Sequence, residues 1–161
     1  MVRVLVILSV IALVFAGCSS SHDVQQPNVV TGPVQRDQLT DAFLHSHPDE
    51  PIGAPFIEMI RQARGGVHVL VFMGTWCSDS KREVPRFLRI ADSTGMTSQD
   101  YALYALDRSK ISPEGLERQY QIERIPTFIF LRGNKEIGRI VESPRTTLEG
   151  DILTILAGKG S

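Results

Sequence analysis

The chain has few cysteines, no excess of charge of either sign, no internal repeat and no apolar run long enough to cross a bilayer. Only two of its 161 residues are cysteine, which excludes a scaffold built on disulfides. The formal net charge of −1 excludes the electrostatic footprint of a nucleic-acid-binding protein. A hydrophobic share of 42% and a charged share of 22% are ordinary for one globular domain. The chemistry therefore has to be sought in particular residues.

The main apolar run, Val4 to Phe15, follows Arg3 at the N-terminus. It is shorter than the roughly 20 residues that span a bilayer and ends in small residues, which is typical of a secretory signal. The stretch PheAlaGlyCys at 15–18 resembles the signal of bacterial lipoproteins, in which the cysteine is lipidated and becomes the new N-terminus. The resemblance implies a signal peptide over 1–17 and lipidation at Cys18. An ordinary signal peptide, with Cys18 incidental, is the alternative.

This address implies a localisation. A lipidated Cys18 would anchor the protein to a membrane of the bacterial cell envelope, with its domain facing the periplasm or the exterior. Residues 18–38 are polar and interrupted by proline and glycine, so they predict a flexible tether. The folded domain is then expected over residues 39–161.

Beyond the tether, alternating strand and helix patterns predict an α/β fold. Strands are predicted at Val67–Phe72, Tyr101–Leu106, Thr127–Arg132 and Glu136–Val141. Helices are predicted at 39–44, 55–64, from 77 to about 92, from a cap at Ser112 to Tyr120, and after a capping box of Thr146 and Glu149. Right-handed crossovers then give a mixed central sheet of about four strands flanked by helices.

One cysteine, Cys77, lies where the first predicted strand runs into a helix. Ser78, Asp79 and Ser80 behind it favour the first turn of that helix. Backbone N–H groups and the helix dipole at such a position stabilise a thiolate, which is the nucleophilic form of cysteine. If Cys18 carries a lipid, Cys77 has no disulfide partner within the chain.

The sequence TrpCysSerAspSer at 76–80 resembles the active-site turn of the thioredoxin superfamily, in which a tryptophan is followed by two cysteines separated by two residues. Pro85 matches the proline that kinks the following helix in that family. IleProThr at 125–127 resembles its cis-proline turn, which faces the active-site cysteine. These motifs, in order between residues 67 and 157, imply the thioredoxin-like fold.

The resemblance also implies roles for individual residues. Cys77 and Ser80 are expected to be the catalytic residues, with Ser80 in the place of the family's second cysteine. Trp76, Ile125 and Pro126 are expected to bind substrate. The partner is a protein thiol or disulfide, or an external resolving thiol, and neither a cofactor nor nucleic acid is implied.

Three departures from the family limit this chemistry. Ser80 cannot attack a mixed disulfide, so a thiol outside the site has to resolve it, as in monothiol exchange or isomerisation. Val71 stands where the family has a buried acid, and Leu103 where it often has a lysine. The alternative is therefore a redox-inactive binding module of the cell envelope that retains the fold, with Cys77 vestigial.

A metal site is not predicted. His45 and His47 are separated by one residue, but neither a cysteine nor a third histidine lies near them in the sequence. The residues that follow, Pro48, Asp49 and Glu50, are typical of a solvated loop, which is the favoured interpretation of this segment.

Overall fold

The predicted strand that begins at Val67 is the central strand of a five-stranded sheet. In the computed structural model, which describes residues 29–47 and 51–158, this strand is Val67–Met73. Every residue of it except His68 is buried, as expected for an apolar run that is covered on both faces. The mixed sheet of the sequence analysis is confirmed, with one strand more than expected.

The strands, in chain order, are β1 (Gly32–Val34), β2 (Val67–Met73), β3 (Tyr101–Ala105), β4 (Thr127–Arg132) and β5 (Lys135–Val141). The helices are α1 (Asp41–Leu44), α2 (Ala54–Ala63), α3 (Ser78–Thr94), α4 (Leu116–Gln119) and α5 (Leu148–Leu156), and a 3-10 turn covers Arg36–Gln38. The spatial order of the strands is β1-β3-β2-β4-β5. Only β2 and β3 run parallel; the other neighbouring strands are antiparallel. None of the helices within the described ranges has the length and apolar character needed to cross a bilayer.

The side chains of β2 alternate between two cores, one on each face of the sheet. Val69, Val71 and Met73 join the larger core, with buried side chains of α3 and α5. Leu70 and Phe72 point to the other face and join a smaller core, which includes residues that follow β3 and precede β4. The sheet is therefore a covered scaffold, and its functional groups have to emerge at the strand ends.

The first strand lies in a segment that the sequence predicts to be a tether. Gly32 pairs with Ala105 and Val34 pairs with Leu103, so β1 lies antiparallel against the outer edge of β3. Val34 is buried in the larger core. Pro33 has no backbone N–H, which an edge strand tolerates. The prediction of a tether up to residue 38 is therefore wrong at its C-terminal end, and residues 18–28 lie outside the described residues.

Two predicted helix starts are displaced. The N-cap of α5 is Thr147, whose hydroxyl accepts the backbone N–H of Gly150 at 3.1 Å, and not Thr146. Ser112 caps no helix, because its buried hydroxyl donates to the carboxylate of Glu117 at 2.8 Å and α4 begins after Gly115. In both places the residue type suits a cap, but its hydroxyl makes another contact: that of Thr146 donates to Asp151 at 2.9 Å.

Helix α3 contains Pro85, and this proline leaves one carbonyl without its helical donor. A backbone N–H at position 85 would bond to the Lys81 carbonyl, four residues earlier, but proline has none. The hydroxyl of Ser46, in the turn after α1, donates to that carbonyl instead, and it also lies 2.7 Å from the carbonyl of Phe43. Ser46 therefore joins the α1 segment to the first turns of α3.

Candidate active site

Cys77 lies at the N-terminus of α3, as the sequence predicts. It is the N-cap residue, with extended φ and ψ of −83° and 129°. Its N–H donates to the Gly74 carbonyl at 3.0 Å, and its carbonyl accepts the Lys81 N–H at 3.0 Å. The thiol is half-buried and in no disulfide. The chain between β2 and α3 thus folds as a tight turn that presents one sulfur near the surface.

The segment before β4 lies directly against this sulfur. The Cys77 thiol donates to the Ile125 carbonyl, with 3.5 Å between Sγ and O. The peptide bond from Ile125 to Pro126 is cis. Pairing of Thr127 with Phe72 in the β2–β4 ladder holds this segment at the end of the sheet that carries Cys77. Three of the predicted site residues, Cys77, Ile125 and Pro126, are therefore neighbours in space.

Ser80 is also part of the turn, but it faces inward. Its side chain is fully buried, and its hydroxyl oxygen accepts the Gly74 N–H at 3.1 Å. A substrate bound at the surface does not reach this hydroxyl. The structure therefore makes Ser80 a positioning residue for the turn that carries Cys77, and not a group exposed to the reacting atoms.

Trp76 is fixed from two sides. Its indole N–H donates to the Leu106 carbonyl at 3.1 Å. A Cβ on Gly74 would lie 2.9 Å from the indole ring and 2.9 Å from Ile125, so only glycine permits this close approach. The ring is half-buried and bears the guanidinium of Arg108, whose Cζ lies 5.4 Å from its centroid. These contacts of Gly74, Leu106 and Arg108 were missed by the sequence analysis; the Gly74 break beside Trp76 was the one available indication.

Two positions beneath the turn are purely apolar. Val71 and Leu103 are paired across the parallel β2–β3 ladder, and both are buried in the larger core. These are the positions where the resemblance noted in the sequence implies a buried acid and a lysine in members of the family with two cysteines. Neither side chain can carry a proton, so this pair offers Cys77 no buried proton relay.

The acid beside the cysteine, Asp79, is ion-paired. Arg82 donates to Asp79 at 2.8 Å, to Glu83 at 2.7 Å and to the hydroxyl of Ser143 at 2.7 Å. The pKa of Arg82 lies above its usual value, chiefly because of the hydrogen bond to Glu83. Burial lowers this pKa, and the hydrogen bond to Asp79 raises it further. The first turn of α3 therefore carries an ion-pair cluster that links it to the loop after β5.

The remaining predicted residues lie elsewhere. Within residues 29–47 and 51–158, no three histidine, cysteine, aspartate or glutamate side chains come together to hold a metal ion. His45 contacts the carbonyl of Asp41, in the loop after α1. Cys18, and with it the predicted lipidation, lies outside the described residues.

Comparison with known proteins agrees with this geometry. A family model described as thioredoxin matches residues 51–151, which is more than half of the chain. The rice (Oryza sativa subsp. japonica) proteins Thioredoxin H2-2 and Thioredoxin H2-1 are 28% and 30% identical over 93 residues, or 58% of this chain. A protein of unknown function from Pseudomonas aeruginosa superimposes with a TM-score of 0.53 at 17% identity, over 72% of this chain and 80% of its own. The chain belongs to the thioredoxin family.

The match to the rice proteins is partial. It spans 65% of the first and 63% of the second, less than two thirds of either relative. The family and the fold are therefore shown, and the activity, substrates and partners are the subject of a proposal.

Proposed function

We propose that this chain catalyses thiol–disulfide exchange through Cys77 alone. The observation that carries the proposal is the placement of one free, half-buried thiol at the N-terminus of α3, against the Ile125–Pro126 segment. Backbone N–H groups at a helix N-terminus stabilise a thiolate. Ser80 occupies the position from which a second thiol would act.

The exchange proceeds in two balanced steps. Cys77 first loses its proton to solvent, and its thiolate attacks one sulfur of a substrate disulfide. A disulfide between Cys77 and the substrate forms, while the other substrate sulfur leaves as a thiolate and takes up a proton. A second thiolate then attacks this mixed disulfide and releases Cys77. That thiolate comes either from the substrate, which gives isomerisation, or from an external thiol. Cys77 ends in the oxidation state in which it began.

The substrate is a protein thiol or disulfide, for which the surroundings of Cys77 offer a contact surface. Trp76, with Arg108 over its ring, provides a fixed side chain beside the sulfur. The segment with Ile125 and Pro126 provides backbone on the other side. We propose that an extended segment of the substrate lies between these two features, with its sulfur over Cys77.

We further propose that the domain is lipid-anchored in a bacterial cell envelope through Cys18, after removal of residues 1–17. The support is Arg3, the apolar run that follows it, and PheAlaGlyCys at 15–18. Mass spectrometry of the full chain expressed in a bacterial host should show a lipidated N-terminal Cys18, and the protein should partition into detergent. Cys18→Ser should abolish the lipid. An unmodified Cys18, or retention of residues 1–17, would contradict the anchor.

The exchange is tested by following the mixed disulfide. The folded chain is mixed with a protein disulfide substrate, quenched by acid and analysed by mass spectrometry. The adduct should map to Cys77, should be released by a small thiol and should be absent in Cys77→Ser. Ser80→Cys places a second thiol one helical turn away, so this variant should instead form an internal disulfide and release the substrate unaided.

One result would favour the redox-inactive binding module instead. Cys77 would then react with disulfides no faster in the folded chain than in the chain unfolded by denaturant, and Ser80→Cys would form no internal disulfide. A binding module would still retain partners in Cys77→Ser, whereas an exchange enzyme would lose its covalent complexes.

A further inference from the structure

We infer that Arg108 selects substrates that carry negative charge beside their disulfide. The inference rests on the proposed exchange at Cys77 and names the chemical class of its substrate. It is based on the Trp76–Arg108 platform, by which we mean the Trp76 ring with the Arg108 guanidinium lying over it at 5.4 Å. Trp76 directly precedes the nucleophilic cysteine, so whatever binds to this platform is held next to the reacting sulfur.

The aromatic part of the platform is rigid. The indole N–H of Trp76 donates to the Leu106 carbonyl, two residues before Arg108 in the chain. The loop after β3 therefore holds the edge of the ring with its first residue and covers the face of the ring with its third. Asp107, between them, shapes this loop by accepting the backbone N–H groups of Ser109 at 2.8 Å and Ile111 at 2.9 Å.

The guanidinium is available to a ligand. Arg108 is exposed, and within the described part of the chain it makes no ion pair or hydrogen bond. Two nearby arginines are paired, in contrast: Arg82 binds Asp79, and Arg124 binds Glu142 at 2.9 Å. A guanidinium that lies over an aromatic face keeps its N–H donors for a carboxylate, which it can bind through two hydrogen bonds.

The predicted substrate is thus a protein segment with acidic residues next to its cysteine. Its sulfur lies over Cys77, while a carboxylate reaches the Arg108 guanidinium. The interaction is exposed to solvent, so one charge pair changes the rate by about threefold, and strong salt removes most of the effect.

The test compares three cysteine peptides with two flanking glutamates, glutamines or lysines, each activated as a 2-thiopyridyl disulfide. Attack by the Cys77 thiolate forms a Cys77–peptide disulfide and releases pyridine-2-thione, which is followed by its absorbance. The full chain is used in detergent, and the rate found with Cys77→Ser is subtracted to remove any reaction of Cys18. The measured quantity is the ratio of the rate constants for the glutamate and lysine peptides.

Arg108→Ala should lower this ratio roughly tenfold, because one peptide loses an attraction and the other loses a repulsion of about threefold each. Arg108→Glu should lower it further, Arg108→Lys should keep most of it, and about 1 M salt should remove the difference between the variants. Arg132→Ala is the matched control. Arg132 is exposed, and it lies beside Val67 in the β2–β4 ladder, at the end of β2 away from Cys77. Its removal should leave the ratio unchanged.

An unchanged ratio in Arg108→Ala, or an equal loss in Arg132→Ala, would overturn the inference. Failure of the proposed exchange looks different. In that case the glutamine peptide would react no faster with the folded chain than with the unfolded chain, whatever residue stands at position 108.

Discussion

The hydrogen bond from Ser46 to the Lys81 carbonyl should matter only because Pro85 is present. Pro85 provides no N–H for that carbonyl, and the Ser46 hydroxyl replaces the missing donor. Replacing Pro85 by alanine restores a helical N–H that can reach the same oxygen. The two substitutions Ser46→Ala and Pro85→Ala are therefore expected to be strongly non-additive in their effects on stability.

The magnitude follows from what each background leaves unsatisfied. With Pro85 in place, Ser46→Ala leaves the Lys81 carbonyl without a donor, and this costs about 1 kcal/mol for a part-buried group. The hydroxyl also contacts the Phe43 carbonyl. In Ser46→Ala that carbonyl still accepts the backbone N–H of residue 46 at 3.3 Å, so loss of this second contact adds little to the cost. With Pro85→Ala, the cost of Ser46→Ala should fall close to zero. The coupling energy is thus about 1 kcal/mol.

The assay is denaturant unfolding of the four proteins of the cycle, followed by the fluorescence of Trp76, the only tryptophan in the chain. Ser46→Ala alone should also lower the melting temperature by roughly 4 °C. Pro85→Ala also affects the unfolded chain and the packing. The cycle cancels these effects, because they are present in both proteins that carry Pro85→Ala.

A second cycle serves as the control. Ser112→Ala also removes a buried hydroxyl, but one that bonds to Glu117 and has no contact with α3 among the described hydrogen bonds. Its effect should simply add to that of Pro85→Ala. If Ser46→Ala costs the same in both backgrounds, the hydroxyl does not substitute for the missing N–H, and the reasoning is refuted.

Three further predictions concern the last part of the fold. Gly138→Ala should destabilise the domain by about 1–3 kcal/mol in denaturant unfolding, because a Cβ there would lie 2.9 Å from Ile155; a smaller loss would mean that α5 moves away freely. Burial raises the pKa of Glu149, but hydrogen bonds from its own backbone N–H and from Arg86 lower it more, so the net pKa lies below the usual value. Its stabilising contribution is then complete above about pH 4.3 and is lost as the pH falls through the lower folded-state pKa. The acid side of a curve of stability against pH should therefore flatten in Glu149→Gln. An unchanged curve would contradict this. Thr147→Ala should lower stability by about 1 kcal/mol through loss of the α5 cap, measured by thermal unfolding, and no loss would show that the cap is dispensable.

The sequence predicts best the elements whose pattern is long. The seven residues of β2 and the seventeen of α3 carry an apolar pattern of the right period, and both lie close to their predicted bounds. The turn between them is predictable because its residue types mark both a strand end and a helix start. The placement of Cys77 therefore follows from local sequence.

The missed features depend on contacts between distant parts of the chain. Strand β1 has three residues, one of them a proline, and exists only because β3 offers an open edge. The contact of Arg108 with Trp76 joins residues 32 positions apart, and that of Ser46 with Lys81 joins residues 35 apart. No periodicity encodes such pairs. The inward position of Ser80 is of the same kind, because only the folded turn shows which N–H its hydroxyl accepts.

The direction of β1 determines the end of the sheet at which the chain enters the domain. Gly32 lies beside Ala105, and Ala105 lies beside Met73, so the chain enters the domain at the end of the sheet that carries Cys77. The stretch from Cys18 to Gly32 can span at most roughly 50 Å, even when fully extended. If Cys18 carries a lipid, as we propose, the sulfur of Cys77 would therefore work within a layer of limited depth next to the membrane surface. Disulfides in that layer, such as those in the membrane-proximal parts of other anchored proteins, would meet Cys77 at high local concentration, whereas distant soluble proteins would have to diffuse to the surface first.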